Sequence, residues 1–361
     1  MGSSHRVGIV GLGVISGQYL ATLEGVSGIR ITAVADLDAS RAEEAAARID
    51  GCRALSVAEL LADPEVDTVL NLTIPAAHAE IALAALAAGK NVYGEKPLAA
   101  TLPDAQRIMA ERGDAWVGGA PDTVLGTGIQ TARAAVDEGL IGRPLSAAAT
   151  WVSAGHESWH PHPDFYYREG GGPLMDMGPY YLTSLVHLLG PVVRVTGVSR
   201  RARDERTIAT GPRAGEQIPV EVDTHVTGIL EHASGAVSTV VFSFDAVRSE
   251  ARPLEIHGEE GSLTLPDPNM FDGAVALARR GAEWQTLPVS AGYADAGRGI
   301  GLIDIVRGGR SADGSVALHV LDIMSSLLES GRRGAPLDLV TTVARPALVP
   351  LTPREVWSRE A

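Results

Sequence analysis

Two alternating patterns of apolar and polar residues run through the first third of the chain. Short apolar runs bounded by turn residues predict strands at residues 6–10, 29–35, 68–72 and 91–93. The segments between these runs have helical patterns, and they predict helices that end near residue 24 and that cover 40–49, 57–61 and 75–88. Strands separated by helices predict parallel pairing in βαβ units.

A different pattern begins after residue 120. A predicted helix at 129–138 ends at Gly139, and a series of apolar or alternating runs follows. These runs predict strands at 145–152, 192–198, 225–231, 237–244, 254–257 and 262–265. Strands separated by turn residues are typical of an open, mainly antiparallel sheet. The polar segment 200–219 is expected to be a surface excursion.

The two patterns predict two domains, and a chain of 361 residues is long enough for both. The predicted fold class is α/β plus α+β. Residues 1–122 are expected to form a doubly wound parallel sheet, and residues 123–361 an α+β domain with the antiparallel sheet.

Charge, cysteine content and hydropathy exclude several classes of protein. The net charge of −14 argues against a nucleic-acid or anionic-membrane partner, since both need basic surface. The single Cys52 excludes a disulfide framework and a cysteine-based zinc cluster. No apolar run approaches the roughly 18 residues needed to cross a bilayer, and no signal-peptide cleavage pattern follows the apolar start. We therefore expect a cytoplasmic protein.

A glycine-rich turn follows the first predicted strand. Gly11 is expected to allow the tight turn, and Gly13 to let the backbone approach a pyrophosphate. Val14 and Ile15 follow at the N-terminus of the next helix. Asp36 ends the second strand, at the spacing of a carboxylate that binds the adenosine ribose, and this placement predicts a Rossmann dinucleotide-binding domain. The alternative is that Asp36 only caps the next helix.

The acidic end of the second strand also indicates which dinucleotide binds. A 2′-phosphate beside Asp36 and Asp38 would meet like charge, and Arg41 is the only cation near them in the sequence. We therefore predict NAD as the cofactor, with NADP the poorer one.

Lysine is rare in this chain, and its two occurrences are informative. The 30 basic residues are 28 Arg and 2 Lys, namely Lys90 and Lys96. Lys can give up a proton and Arg cannot, so a retained lysine points towards chemistry. For Lys90 chance is a sufficient explanation. Lys96 follows a predicted parallel strand, at the edge of the sheet where ligands bind, although it could also be an ordinary surface lysine.

Several motifs together resemble one family. Residues 91–98 read Asn-Val-Tyr-Gly-Glu-Lys-Pro-Leu, with Glu95-Lys96-Pro97 at a characteristic distance from the glycine turn. The other motifs are Thr73-Ile74-Pro75 with His78, Gly170-Gly171-Gly172 with Asp176-Met177-Gly178, and Leu254-Glu255-Ile256-His257-Gly258-Glu259-Glu260-Gly261. With these motifs, almost the whole chain resembles the glucose–fructose oxidoreductase and inositol dehydrogenase (Gfo/Idh/MocA) family.

The resemblance implies roles for individual residues. In that family the lysine of the Glu-Lys-Pro tripeptide contacts the substrate hydroxyl at the nicotinamide, which is the position of Lys96. The implied cofactor contacts also include Thr73, Pro75, His78 and Glu95. The family's sheet domain commonly packs one face against another subunit, which implies a homodimer or homotetramer. Removal of a hydride from a carbinol also requires a group that takes the hydroxyl proton, and burial beside the nicotinamide would lower the pKa of Lys96.

Aromatic residues concentrate in one segment. Seven of the 16 aromatic residues lie between positions 151 and 181, together with three histidines. Aromatic faces and polar donors in a loop suit a sugar ring. We therefore predict Trp159, His160, His162 and Tyr166 as substrate contacts. Plain loop packing is an alternative for some of these side chains, and a metal site at the three histidines is another. Their spacing matches no standard ligand pattern, so no metal is predicted.

A second catalytic element is predicted in the helix that starts near Pro179. Tyr180 begins a polar stripe on that helix, which continues with Thr183, Ser184 and His187 and which we expect to face the active-site cleft. Asp176 lies before the expected cap. The resemblance is to the branch of the family in which a tyrosine transfers the proton. We predict that Tyr180 exchanges the proton with the substrate oxygen beside Lys96, and that Asp176 orients the pair. A tyrosine that only packs or orients the substrate is the alternative.

These observations predict an NAD-dependent oxidoreductase that acts on a sugar-like polyol. A tyrosine has a pKa near 10 and is a better acid than base at neutral pH, so reduction is as plausible as oxidation. Two alternatives remain. One is an NAD-binding regulator without turnover, and the other is an NAD-dependent glycoside-cleaving enzyme that oxidises its substrate transiently.

Overall fold

The computed structural model describes residues 4–359, which fold into two compact units. The first unit combines the described parts of Met1–Thr127 and Pro346–Ala361 with Ala291–Leu318. The second combines Gly128–Ser290 with His319–Arg345.

Ten α-helices occur in residues 4–359, and none of them is long and apolar enough to span a membrane. The helices are α1 Ser16–Leu23, α2 Ala39–Ala46, α3 Val57–Ala62, α4 Pro75–Ala87, α5 Leu102–Glu111, α6 Thr127–Asp137, α7 Pro173–Leu189, α8 Ile300–Val306, α9 Gly314–Arg333 and α10 Arg354–Trp357.

The same residues contain seventeen strands, many of them short. The strands are β1 His5–Val10, β2 Ile29–Ala35, β3 Arg53–Ala54, β4 Thr68–Asn71, β5 Asn91–Gly94, β6 Val117–Gly119, β7 Pro144–Val152, β8 Val192–Arg200, β9 Glu205–Thr207, β10 Gln217–Pro219, β11 His225–His232, β12 Val237–Ser243, β13 Leu254–Gly258, β14 Gly261–Leu265, β15 Ala276–Arg279, β16 Gln285–Thr286 and β17 Leu337–Asp338.

A six-stranded sheet is the centre of the first unit. Its order is β3-β2-β1-β4-β5-β6, and every pair is parallel. The predicted doubly wound parallel sheet is thus confirmed. The strand order reverses between β1 and β4, and ligands bind beyond the carboxyl ends of the strands at such a reversal. The patterns predicted neither α5 nor β6. Strand β6 has three residues, which is too short to show a period.

Later parts of the chain complete the first unit. The buried carboxylate of Asp122, which follows β6, accepts hydrogen bonds from the backbone N–H groups of Gly299 (2.7 Å) and Gly301 (3.1 Å) at the start of α8. Tyr293 forms backbone bridges with Gly126 and Thr352. The first unit is therefore built from three separate segments, whereas the sequence predicted one boundary after residue 122.

A nine-stranded sheet is the centre of the second unit. Its order is β16-β15-β14-β13-β7-β12-β11-β8-β17, and only the pairing of β7 with β12 is parallel. The prediction of a mainly antiparallel sheet is confirmed. Helix α7 packs against β7, β11 and β12.

The prediction of a surface excursion at 200–219 is wrong in part. The segment contains the hairpin of β9 and β10, in which Arg206 and Ile218 are buried. The guanidinium of Arg206 pairs with the carboxylates of Glu157 (2.8 Å) and Asp245. An arginine is expected at the surface unless carboxylates pair with it, and the partners of Arg206 are too distant along the chain for the sequence pattern to show them.

Acid is expected to destabilise the second unit through the buried His319 of α9. Its Nε2 accepts from the Val192 N–H (3.0 Å), so its Nδ1 donates to the Thr341 hydroxyl (2.9 Å). Burial lowers the pKa of His319 to about 4, against the opposing charge of Asp322. The unfolded chain takes up this proton near pH 6.5. The free energy of unfolding should therefore fall by about 2 kcal/mol between pH 7 and pH 5.

Urea unfolding of the wild type and of His319→Gln at both pH values checks this expectation. Glutamine retains an acceptor for the Val192 N–H and takes up no proton. The wild type should lose about 2 kcal/mol more than the variant on acidification. Equal losses in the two proteins would assign the acid sensitivity to other groups.

Candidate active site

The glycine turn after β1 has a conformation that requires glycine. Gly11 has a φ of 96°, and a Cβ on it would lie 2.7 Å from the carbonyl carbon and oxygen of Leu72. A Cβ on Gly13 would meet nothing within 4 Å, so the backbone there borders open space. The hydroxyl of Ser16 donates to the Gly13 carbonyl (2.7 Å), which holds the small third residue of the motif inside the turn.

The carboxylate of Asp36 ties this turn to the end of β2. Its Oδ2 accepts from the Leu12 N–H (2.7 Å), and its Oδ1 accepts from the Asp38 N–H (2.9 Å). The cap of α2 is Asp38, whose carboxylate accepts from the Ser40 hydroxyl (2.6 Å) and from the Ser40 N–H (3.1 Å). These two hydrogen bonds, the hydroxyl's first, lower the pKa of Asp38. Asp36 is therefore not the helix cap that the alternative interpretation required.

The surroundings of the turn fit a dinucleotide. Ile15 occupies the N-cap of α1, and no side chain caps this helix end, where backbone N–H groups favour an anion. Val14, Leu37 and Ile74 expose their apolar side chains in the loops after β1, β2 and β4. Apolar side chains suit a planar base, a glycine cradle suits phosphates and a carboxylate suits ribose hydroxyls. The residues present thus match the parts of NAD.

A buried histidine links two loops at the carboxyl edge of this sheet. Nδ1 of His78 is 2.7 Å from the Pro97 carbonyl oxygen, and Nε2 is 3.0 Å from that of Thr73. The Thr73 hydroxyl donates to Asn71 (2.7 Å), and Pro75 is the first residue of α4, as predicted. His78 therefore joins the loop after β4 to the Lys96–Pro97 peptide, which is cis.

Glu95 holds the backbone at Lys96. Its Oε1 accepts from the buried Tyr19 hydroxyl (2.7 Å), and its Oε2 accepts from the Lys96 N–H (3.0 Å). Burial, then the charge of Glu95, raises the pKa of Tyr19 far above its usual value, so this hydroxyl stays a donor. Lys96 is half-buried and directly follows Glu95 beyond the carboxyl end of β5.

The other lysine has a structural position. The ammonium of Lys90 is buried and donates to the backbone carbonyls of Asp63 (2.7 Å) and Val66 (2.8 Å). Burial lowers the pKa of Lys90. A compact ammonium with three donors fits two carbonyls in a buried site, where a planar guanidinium needs more room. Packing therefore accounts for this lysine.

Helix α7 in the second unit begins earlier than predicted. It runs from Pro173, after the positive-φ Gly172, and Pro179 lies inside it. The prediction that Pro179 starts the helix is wrong, because Pro173 occupies the first turn and the helix tolerates a second proline. Asp176 consequently lies in the first turn, where the helix dipole favours a carboxylate, and not before the cap.

The polar stripe of α7 is buried. Tyr180 is 5% exposed, and Thr183, Ser184 and His187 have still less exposure. The Ser184 hydroxyl donates to the Tyr180 carbonyl (2.9 Å). The expectation of a stripe open to a cleft is therefore wrong, because all four of its residues are buried.

The aromatic segment forms a cluster of rings in the second unit. The ring centroid of Tyr166 lies 4.0 Å from that of Phe165 and 5.7 Å from that of His160. The ring centroids of Trp159 and His160 are 5.3 Å apart. His162 is exposed, and its N–H donates to Nδ1 of His160 (3.0 Å). Burial, followed by the neighbouring histidines, lowers the pKa of His160. The structure thus brings the four predicted substrate contacts into one loop, and residues 4–359 contain no cluster of side chains arranged to hold a metal ion.

His156 contacts one of the predicted site residues, Asp176, and the sequence did not single it out. Its Nε2 lies 2.8 Å from Oδ2 of Asp176, and the indole N–H of Trp159 donates to its Nδ1 (3.2 Å). The three histidines of this loop carry the same local signal in the sequence. Only the fold selects the one that meets Asp176.

The base of the loop is fixed by the residue after His156. Glu157 accepts the Tyr167 hydroxyl on one oxygen and the Arg206 guanidinium (2.8 Å) on the other. Burial and then the Glu157 hydrogen bond raise the pKa of Tyr167 well above its usual value. This buried network anchors the loop independently of the ring cluster.

Comparison with protein families places the two units in one family. Residues 5–113 match the model described as an oxidoreductase family with an NAD-binding Rossmann fold. Residues 129–264 match the GFO/IDH/MocA C-terminal domain. The two matches together cover more than half of the chain.

Individual relatives agree with this placement. Inositol 2-dehydrogenase 2 of Saccharopolyspora erythraea is 35% identical over 271 residues, which are 73% of this chain and 74% of that protein. The 1,5-anhydro-D-fructose reductase of Ensifer adhaerens is 29% identical over 274 residues, 72% of this chain and 75% of that protein. A structure of levoglucosan dehydrogenase with NADH and L-sorbose shares the fold, with a TM-score of 0.76 at 23% identity over 94% of this chain and 99% of that chain. This chain therefore belongs to the GFO/IDH/MocA family of NAD-dependent oxidoreductases.

Proposed function

We propose that this enzyme moves a hydride between NAD and a CH–OH or ketone carbon of a sugar, an inositol or a glycoside. The observation that carries the proposal is that one parallel sheet presents both the dinucleotide turn, with Asp36, and Lys96 at its carboxyl edge. The named activities of the relatives, an inositol dehydrogenase and a sugar reductase, support a polyol substrate.

In the proposed mechanism Lys96 and Tyr180 form a proton relay, in which Tyr180 exchanges the proton with the substrate oxygen and Lys96 in turn exchanges it with Tyr180. When NAD is bound, its nicotinamide accepts or returns the hydride. The proton must leave the oxygen as the hydride leaves the carbon, so a titratable group is required there. Glu95 fixes the main chain at Lys96, and His78 fixes the carbonyl of Pro97, the next residue.

Residues of the second unit are proposed to bind and protonate the substrate. Tyr180 exchanges a proton with the substrate oxygen, and Asp176 binds a substrate hydroxyl. Trp159 and Tyr166 contact the C–H faces of the sugar, while His160 and His162 contact its hydroxyls. A tyrosine hydroxyl donates more readily than it accepts at neutral pH, so the proposal includes reduction of a ketone.

The experiment that tests the function follows NADH formation and consumption over a panel of substrates. The panel contains myo-inositol, D-glucose, 1,5-anhydrohexitols, aryl glycosides and the corresponding ketones. Turnover with net NADH change supports the proposal. Release of an aglycone without net NADH would identify a glycoside-cleaving enzyme, and NAD binding without turnover on the panel would identify a regulator.

Asp36→Asn is expected to narrow the preference for NAD over NADP. The amide retains an acceptor for the Leu12 N–H but loses the charge that binds ribose hydroxyls and repels a 2′-phosphate. We expect kcat/KM for NAD to fall about ten- to hundredfold, the loss expected for hydrogen bonds to a charged group. Glu43→Gln removes one exposed charge from α2 and is the control. If the ratio of kcat/KM for NAD to kcat/KM for NADP is the same in Asp36→Asn as in the wild type, the assignment of Asp36 to the ribose is contradicted.

A homodimer or homotetramer is also proposed. Strands β8, β11 and β12 direct apolar side chains outwards at Val193, Val198, Ile229 and Val237. Adjacent exposed apolar side chains on a sheet favour association. Light scattering during size-exclusion chromatography tests the assembly, and a monomer would refute it. The cytoplasmic location stays a prediction.

A further inference from the structure

His156 has hydrogen bonds at both ring nitrogens. Nε2 faces Oδ2 of Asp176 at 2.8 Å, and Nδ1 faces the indole N–H of Trp159 at 3.2 Å. The side chain is almost fully buried, and the Tyr166 ring packs against it edge-on with the centroids 4.2 Å apart. The imidazole is therefore held in one orientation.

The chemistry of the partners identifies the tautomer. An indole N–H can only donate, so Nδ1 of His156 is an acceptor. The hydrogen of the neutral ring is then on Nε2, which donates it to the Asp176 carboxylate. The two bonds run in one direction, from Trp159 through His156 to Asp176.

We propose that His156 is a positioning residue that orients the Asp176 carboxylate for a substrate hydroxyl, and that Trp159 selects the tautomer of His156 that can do so. The inference rests on the proposed function, because it takes Asp176 as a substrate ligand. Trp159 is 58% exposed, although its N–H is committed to His156. A sugar ring that packs on this indole keeps it in place, so sugar binding and the orientation of Asp176 are linked.

The hydrogen bond from His156 fixes the rotation of the Asp176 carboxylate, which helix α7 does not fix. The first turn of α7 holds the Asp176 backbone through its N–H to the Gly172 carbonyl (3.0 Å), and the helix dipole favours its charge. Neither interaction fixes the rotation of the carboxylate about its side-chain bonds. The loop itself is anchored through Glu157 and Arg206. Replacement of His156 should therefore disturb Asp176 and leave the loop in place.

Two amide variants separate the two hydrogen bonds. His156→Gln places an N–H donor near the position of Nε2, whereas His156→Asn reaches only the position of Nδ1 and leaves Asp176 without this donor. For the best substrate of the panel, we expect His156→Asn to lower kcat about ten- to hundredfold with KM for NAD unchanged. We expect His156→Gln to stay within about threefold of wild type. His257→Asn, the same change on β13, controls for the substitution itself.

Trp159→Phe keeps an aromatic ring and removes only the donor. We expect kcat to fall about three- to tenfold with little change in KM for the sugar, since His156 can then adopt the other tautomer. Equal kcat values in His156→Gln and His156→Asn, both folded by thermal unfolding, would overturn the proposal. If both variants unfold, Trp159→Phe decides, and an unchanged kcat in that variant overturns it.

A readout without turnover separates this inference from the proposed function. The indole ¹H–¹⁵N resonance of Trp159 is assigned by its loss in Trp159→Phe. Asp176→Asn should shift this resonance through His156, and an unchanged resonance would overturn the hydrogen-bond chain from Trp159 through His156 to Asp176. A wild type inactive on the whole panel that still shows the shift would refute the proposed substrates and retain the hydrogen-bond chain.

Discussion

Lys96→Ala is expected to lower turnover at least about a hundredfold and to leave NAD binding nearly intact. The variant lacks one of the two groups that carry the hydroxyl proton, and general acid–base catalysis typically contributes 10²–10⁴-fold. Glu95 accepts the main-chain N–H of residue 96, so the backbone should keep its position when the side chain is shortened. The measurement is kcat and KM on the best sugar, with NADH binding followed by fluorescence titration.

Two further variants test whether the effect is specific to the ionisable amine of Lys96. Lys96→Arg should not restore activity, because a guanidinium cannot give up its proton. A near-native rate in the arginine variant would show that residue 96 supplies only a positive charge. Lys90→Ala removes the other lysine of the chain, and we expect it to lower thermal stability while the folded enzyme keeps its kcat.

Tyr180→Phe is expected to lower turnover about a hundredfold with little change in nicotinamide binding. The substitution removes one hydroxyl and keeps the ring that packs in α7, so the fold should survive. If the hydroxyl transfers the proton, the limb of the pH–rate profile that reports it should move or vanish. The measurement is kcat over a pH series for wild type and variant.

The loop histidines provide the comparison for Tyr180. Replacement of His160 or His162 by alanine should mainly raise KM for the sugar, because these side chains are assigned to substrate hydroxyls. If Tyr180→Phe stays within a few-fold of wild type while a His160 or His162 variant loses turnover, the roles are reversed. The proton would then travel through the loop.

Local signals account for what the sequence could predict. The strands β1, β2, β4 and β5 lie within one residue of their predicted limits, because apolar runs and turn residues mark both ends of each. The glycine turn and Asp36 could be identified because their spacing follows from the backbone conformation that phosphates and ribose require.

The errors arose where two local signals competed or where the partner is distant. Pro173 and Pro179 both suit a first helical turn, and the sequence does not say that α7 starts at the earlier one. His156 and Asp176 are 20 residues apart, and no periodicity connects them. Arg206 is buried because Glu157 and Asp245 meet it, a long-range pairing that a residue pattern does not encode.

The three-segment construction of the first unit also determines when it can fold during synthesis. β6 is an edge strand, and the bridge from Gly118 to Asp313 and the contacts with α8 cover that edge. At roughly 5–20 residues per second, the ribosome makes the covering segment many seconds after β6. The nascent chain therefore exposes an unpaired sheet edge, the kind of surface that aggregates, until residues 300–313 have been translated. Synthesis of the first unit begins before that of the second unit and ends after it. We therefore expect chaperones to bind the nascent chain before residue 300 emerges.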